Sequence, residues 1–173
     1  MASFELTARV ASAEEFRAVF SPEQANSLDS IGTPVLAHAL ANTSPRDRYE
    51  IANLLLDHGA RADFASGEER EPALRILLGA VRHEPAKTTA LVRRLIEAGA
   101  DVNARSARGD GVLDSLVVLG GDEGSWRELY DLVFAQGLTG LDTPNRAGVR
   151  PLDRARNRER TELATRIEAA LGR

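Results

Sequence analysis

The sequence predicts an all-α protein made of about five stacked helix pairs, and two observations support this prediction. Residues 91–98 place four aliphatic side chains on one stripe at helical spacing, with charged residues opposite, which is typical of an amphipathic helix. Gly99 ends that helix, because glycine readily takes the left-handed conformation found just past a helix end. Comparable glycines, Gly59 and Gly137, lie at nearly equal distances before and after it. Their spacing of about 40 residues indicates repeated helical units.

Residues 1–29 predict two short helices. Residues 5–10 can form the first, and Ser12 and Glu15 form a capping box for the second, in which each side chain pairs with a backbone N–H group at the helix start. Apolar residues from Phe16 onward supply its buried face. We interpret this segment as an N-terminal cap, which a stack of repeated units needs so that its end is not an open hydrophobic face.

Repeated units follow the cap. Their openings, at Thr33, Glu71, Asp110 and Arg150, recur at a nearly constant spacing, and each of the last three follows a helix-ending glycine at a short, similar interval. The extra length of a unit is therefore expected between its two helices, in polar loops that contain Pro or Gly. These loops are predicted at residues 42–48, 81–88 and 119–124. The whole chain, 1–173, is predicted to be one domain with repeats at 30–68, 69–107 and 108–147 and a C-terminal cap at 148–173.

Two motifs in these units resemble those of a known family. Residues 99–104 read Gly-Ala-Asp-Val-Asn-Ala, and residues 32–34 read Gly-Thr-Pro before a short apolar helix. Both motifs resemble the ankyrin repeat, and the resemblance covers about residues 29–173. Tetratricopeptide and HEAT repeats also stack helix pairs of similar length, but neither motif belongs to their patterns. The resemblance implies an ankyrin-repeat solenoid of helix pairs with projecting hairpin loops, which binds other proteins through its concave face.

Composition narrows the classes of function. The chain has no cysteine, so it can form no disulfide, thiolate metal site or thiol nucleophile. A net charge of -4 argues against a nucleic-acid partner, because such proteins usually present a basic face. Neither a signal peptide nor a run of ~20 apolar residues is visible, so we expect no membrane association and a cytoplasmic location. Arginine makes up 21 of the 22 basic residues, a bias that suggests a bacterial source.

The sequence offers little for catalysis. Its three histidines do not occur at metal-ligand spacing: His38 is expected to be a hydrogen-bonded structural residue, His58 to sit at a helix end, and His83 to be solvated in a loop. No phosphate-binding or nucleophile motif is present. We therefore predict no catalytic residue, no cofactor and no metal ion, and the protein is interpreted as a non-enzyme. A hydrolase with a carboxylate pair in an inserted loop stays open as an alternative.

Candidate binding residues come from the expected hairpins and inner helices. Phe64 falls at a hairpin position, where it either anchors a partner or folds back onto its own loop. Arg75, Asp114 and Arg154 are each expected to be the first exposed residue of an inner helix, and their charges alternate in sign from one helix to the next. They form either a ladder of ion pairs between units or a charged recognition strip. The hairpins add further charged candidates, namely Glu68, Glu69, Arg70, Arg105, Arg108 and Arg146.

These features predict a protein–protein interaction module that is monomeric in isolation. A small acidic repeat protein suits a basic target, so one specific form of the prediction is an inhibitor or immunity protein for a bacterial toxin or enzyme. A scaffold or accessory subunit that stabilises an enzyme is the alternative within the same class of binding proteins.

Overall fold

The computed structural model describes residues 4–172, so residues 1–3 of the predicted N-terminal cap and Arg173 of the C-terminal cap lie outside it. Helices make up 53% of the structure, which confirms the predicted all-α class. The described residues form ten α-helices: α1 (Phe4–Val10), α2 (Ala13–Val19), α3 (Val35–Leu40), α4 (Pro45–Asp57), α5 (Ala73–Leu78), α6 (Pro85–Glu97), α7 (Val112–Val117), α8 (Arg127–Phe134), α9 (Pro151–Asn157) and α10 (Thr161–Ala170).

The helices follow one another as five consecutive pairs that stack in two layers. One layer contains α3, α5, α7 and α9, each packed against the next, and the other contains α4, α6 and α8 in the same order. At one end, α1 packs on α3 and α2 on α4, so the first pair covers both layers. Buried apolar side chains from Ala8 to Ile167 form one continuous core between the layers. None of the helices in the described range is long and apolar enough to cross a lipid bilayer.

Local sequence signals explain where several helices begin and end. Ser12 and Glu15 form the expected capping box of α2: the Glu15 carboxylate accepts from the Ser12 N–H at 2.8 Å, and the Ser12 hydroxyl accepts from the Glu15 N–H at 3.2 Å. At the end of α6, Gly99 has a φ of 101°, which a side chain would strain. The chain leaves the helix there as predicted.

Two helices start earlier than predicted. The loops expected at 42–48 and 81–88 end at Pro45 and Pro85, where α4 and α6 begin. Proline fits the first turn of a helix, because the N–H group that it lacks has no partner inside the helix there. Each proline therefore starts a helix rather than extending the loop before it.

Asparagine side chains join the turns of successive units. The Asn26 amide donates to the carbonyl of Gly59 at 2.9 Å and its oxygen accepts from the N–H of Arg61 at 2.8 Å. Asn103 repeats this arrangement with Gly137 and Thr139, at 3.3 and 2.8 Å. These bonds hold each turn against the turn of a neighbouring unit.

Candidate partner-binding surface

Four tight hairpins project between the helix pairs, and we number them by their residues: hairpin 1 (29–33), hairpin 2 (67–71), hairpin 3 (106–110) and hairpin 4 (145–149). In hairpins 1, 3 and 4 the first residue donates its N–H to the carbonyl of the fifth, at 3.0 Å in each case. Hairpin 2 is closed instead by the two-residue strands β1 (Ala65–Ser66) and β2 (Glu71–Pro72), which pair antiparallel. In all four hairpins the fourth residue donates its N–H to the carbonyl of the first, at 2.9 to 3.1 Å, so the hairpins present a row of backbone turns with a common geometry.

Most of the row is joined into one unit. The N–H of Ala107 donates to the carbonyl of Glu69 at 2.6 Å, and the N–H of Arg146 donates to the carbonyl of Arg108 at 2.9 Å. These bonds link hairpin 2 to hairpin 3 and hairpin 3 to hairpin 4. Between residues 4 and 172, no hydrogen bond links hairpin 1 to hairpin 2. The row is open at that point.

A depression of about 550 Å³ lies at this opening, and we call it the inner groove. It is bounded by α1, α3, α5 and hairpins 1 and 2, and its apolar lining comes from Leu6, Ile31, Ala37, Ala41 and Ile76. Ile31, at the tip of hairpin 1, is 84% exposed. Ile31 was not among the residues predicted from the sequence, although an aliphatic residue inside the polar turn Asp-Ser-Ile-Gly is a usable signal. An exposed aliphatic side chain beside an apolar groove is typical of a binding surface.

The side chain of Asp29 holds hairpin 1 in place. One oxygen of Asp29 accepts from the N–H groups of Ile31 and Thr33 at 3.0 and 2.8 Å, and the other lies 2.9 Å from Nε2 of His38. His38 is buried in α3, as expected for a structural histidine. The N–H of Thr33 and, to a smaller extent, the His38 ring hold the pKa of Asp29 below its ordinary value of 3.8.

This pKa shift predicts how hairpin 1 responds to acid. Because the Asp29 pKa is lowered in the folded protein, its stabilising effect is present above the ordinary value and is lost as the pH falls through the folded value. In an NMR titration from about pH 6 downward, we expect the amide resonances of Ile31 and Thr33 to move together with a midpoint below 3.8. Asp29→Asn should remove this transition. A midpoint at or above 3.8 would contradict the bonding described.

The three residues of the predicted charged strip are brought together, but they form an internal network. Asp114 is only 2% exposed, and its carboxylate accepts from Nη1 of Arg154 at 3.0 Å and from the N–H of Gly111 at 2.8 Å. Arg75 donates to the carbonyl of Gly111 at 3.1 Å. Asp110 lies within 4.0 Å of Arg75 and 3.5 Å of Arg154. The expected exposure of Asp114 is therefore wrong, because the adjoining units cover it, and this geometry matches the ladder interpretation.

Three of the charged hairpin candidates, Glu69, Arg105 and Arg108, have structural contacts. Arg108 donates from Nε and Nη2 to the Glu69 carboxylate at 2.9 and 3.0 Å, which ties hairpins 2 and 3 together and lowers the pKa of Glu69. The guanidinium of Arg105 donates to the carbonyls of Gly109 and Gly140 at 2.7 and 2.8 Å. Arg105 therefore fixes the backbone around hairpin 3. The remaining hairpin candidates are exposed: Glu68, Arg70 and Arg146.

Phe64 does not project from the hairpin row. It is partly buried and packs against the core cluster, which favours the interpretation that it folds back onto its own loop. His83, which was expected to be solvated, is also partly buried: its ring lies edge-on to Trp126 with centroids 6.0 Å apart. Burial, and next the nearby Arg48 charge, lower the pKa of His83. Across residues 4–172, no cluster of three or more His, Cys, Asp or Glu side chains is arranged to hold a metal ion.

Comparison with known proteins identifies a similar fold. No family model matches the sequence, and no curated protein matches it. Among solved structures, the chain is similar to a functionally unknown protein from Leptotrichia buccalis C-1013-b, with a TM-score of 0.83 and 21% sequence identity. The match covers 96% of this chain and 91% of that one. At 21% identity, this similarity shows that the two proteins share a fold.

Proposed function

We propose that this protein is an ankyrin-type repeat protein that binds another protein through the inner groove and hairpins 1 and 2. The observation that carries the proposal is the exposed Ile31 side chain, which a fixed turn holds beside an apolar groove. The stacked helix pairs, the common hairpin geometry and the motifs at 32–34 and 99–104 support the ankyrin assignment.

The geometry suits a pre-organised binding surface. The Asp29 network fixes hairpin 1 before any partner arrives, so little conformational entropy is lost on binding. An aliphatic anchor such as Ile31 gains affinity by leaving water, at roughly 25 cal/mol for each Å² of apolar surface that is buried. The exposed charges of Glu68 and Arg70, on hairpin 2, then contribute to the choice of partner.

The narrower form of the proposal concerns the class of partner. A net charge of -4 favours association with a basic protein, because opposite net charges accelerate encounter. We infer that the partner is a basic toxin or enzyme that the protein inhibits. A role as an accessory subunit would use the same surface.

The test is affinity capture with three forms of the protein. The wild type should recover a partner from an extract of its own organism, and Ile31→Asp should lose that partner because a carboxylate enters the apolar contact. Val19→Asp is the matched control: Val19 is an exposed aliphatic residue at the end of α2, and this variant should retain the partner. Circular dichroism should show the same helix content for all three forms. Equal recovery by Ile31→Asp and the wild type would refute the proposed surface.

A further inference from the structure

A second groove, away from the hairpin row, lies between two loops that join paired helices, and we call it the outer groove. It measures about 680 Å³. One wall is the loop between α5 and α6, with Val81 62% exposed, and the other is the loop between α7 and α8, with Val118 53% exposed. Leu78, Leu119 and the buried Trp126 line it as well. The groove is therefore mainly apolar, with one exposed valine on each side.

The first of these loops is held by buried polar side chains of the preceding unit. The guanidinium of Arg48, which is 0% exposed, donates to the carbonyls of Val81 and Arg82 at 2.8 and 3.0 Å. The hydroxyl of Tyr49 accepts from the N–H of Glu84 at 2.9 Å. Arg82 has a φ of 57°, a left-handed conformation that is unfavourable for a residue other than glycine. The loop is thus fixed in an unusual shape rather than left to move.

The second loop is held in the same way. Nε1 of Trp126 donates to the carbonyl of Gly120 at 2.9 Å. Arg160, from the following unit, donates to the carbonyls of Val117 and Gly121 at 3.1 and 3.4 Å. Both walls of the outer groove are therefore pre-formed, which lowers the entropy lost when a ligand binds.

The charges around the outer groove favour an anion. Arg48 and Arg160 donate to backbone carbonyls, and Arg82 lines the groove. Within residues 4–172, none of these three arginines forms an ion pair with a carboxylate. The nearby carboxylates are Asp122, which also lines the groove, Glu84, which pairs with Lys87 at 2.7 Å, and Glu123, which accepts from two backbone N–H groups at the start of α10. The lining of the groove carries one cation, Arg82, and one carboxylate, Asp122, so the excess of positive charge comes from Arg48 and Arg160, which are bonded to the backbone of the two loops.

We propose that the outer groove binds a small amphipathic carboxylate. Its apolar part lies between Val81 and Val118, and its carboxylate pairs with the guanidinium of Arg82. A volume of about 680 Å³ falls within the range of clefts that hold small molecules, roughly 300 to 1,000 Å³. Arginine suits the charged end because its planar guanidinium can donate two parallel hydrogen bonds to a carboxylate.

The experiment is an NMR titration of the ¹⁵N-labelled full chain with 2-naphthylacetate as the probe and the neutral 2-naphthylacetamide as its matched control. We expect the acetate to bind with a Kd of about 1 mM or lower and to shift amide resonances in residues 78–85 and 118–126. The amide should bind at least about fivefold more weakly, because it cannot form the charged pair with Arg82. Absence of binding, equal affinities, or shifts centred elsewhere would each overturn the proposal.

Three variants locate the site. Val118→Asp places a carboxylate on the apolar wall and should abolish binding of the acetate, and the fold should survive because Val118 is exposed. Arg82→Gln should reduce the affinity for the acetate to that for the amide. Ile31→Asp, in the inner groove, should leave both affinities unchanged. Wild-type affinity in Val118→Asp, or a retained preference for the acetate in Arg82→Gln, would refute the assignment.

Discussion

Leu95→Ala lowers the free energy of unfolding by about 2 to 5 kcal/mol, the range measured for large-to-small changes in protein cores. Leu95 lies in α6, the central helix of its layer, which packs against α4, α5 and α8. Its side chain is fully buried, so the truncation leaves a cavity that three neighbouring helices cannot close. Urea denaturation followed by circular dichroism measures the change.

The matched control for this change is Leu28→Ala. Leu28 is an exposed leucine before hairpin 1, and its truncation should change the free energy of unfolding by no more than about 0.5 kcal/mol. Because a stability of about 5 to 15 kcal/mol is typical, Leu95→Ala should also lower the melting temperature clearly. Equal midpoints for the two variants would place Leu95 outside the core.

Arg48→Met lowers the free energy of unfolding by about 2 to 4 kcal/mol, since it removes three hydrogen bonds from buried or partly buried carbonyls. The Arg48 guanidinium donates to the carbonyls of Asn42, Val81 and Arg82 at 2.9, 2.8 and 3.0 Å. Methionine fills much of the same volume, so the loss reports on these bonds rather than on a cavity. Amide exchange at Val81 and Arg82 should become faster.

Arg46→Met is the control, because Arg46 is an exposed arginine in the first turn of the same helix. Its ion pair with Glu50 is solvated, and its loss should cost less than about 1 kcal/mol. Arg48→Lys should recover only part of the stability, because one ammonium cannot reach three carbonyls in the geometry of a guanidinium. If Arg48→Met were as stable as Arg46→Met, the buried bonds would have no net stabilising effect.

The architecture could be predicted from the sequence because its signals are local. The aliphatic stripe at 91–98 and the capping box at Ser12 each depend on residues within one or two helical turns. Gly59 and Gly99 end their helices because of their own backbone freedom. Where the prediction failed, as at Pro45 and Pro85, the missed signal was also local.

The candidate surface could be predicted from the sequence much less well than the architecture. Asp114 was expected at an exposed position, and the adjoining units bury it through contacts with residues up to 40 positions away. Ile31 was not predicted as a binding residue, and the open end of the hairpin row leaves its side chain in water. The sequence does not indicate that Arg48 is buried. Its hydrogen-bond partners are carbonyls in two loops, and one of these loops belongs to the following unit.

The all-helical class, the spacing of the units and the positions where helices end follow from local sequence signals, because backbone propensities and hydrophobic spacing act over a few residues. The packing of neighbouring units sets which polar groups are buried, which aliphatic side chains stay in water and where the two grooves form. These properties depend on side chains that meet across neighbouring units and are therefore far apart in the chain.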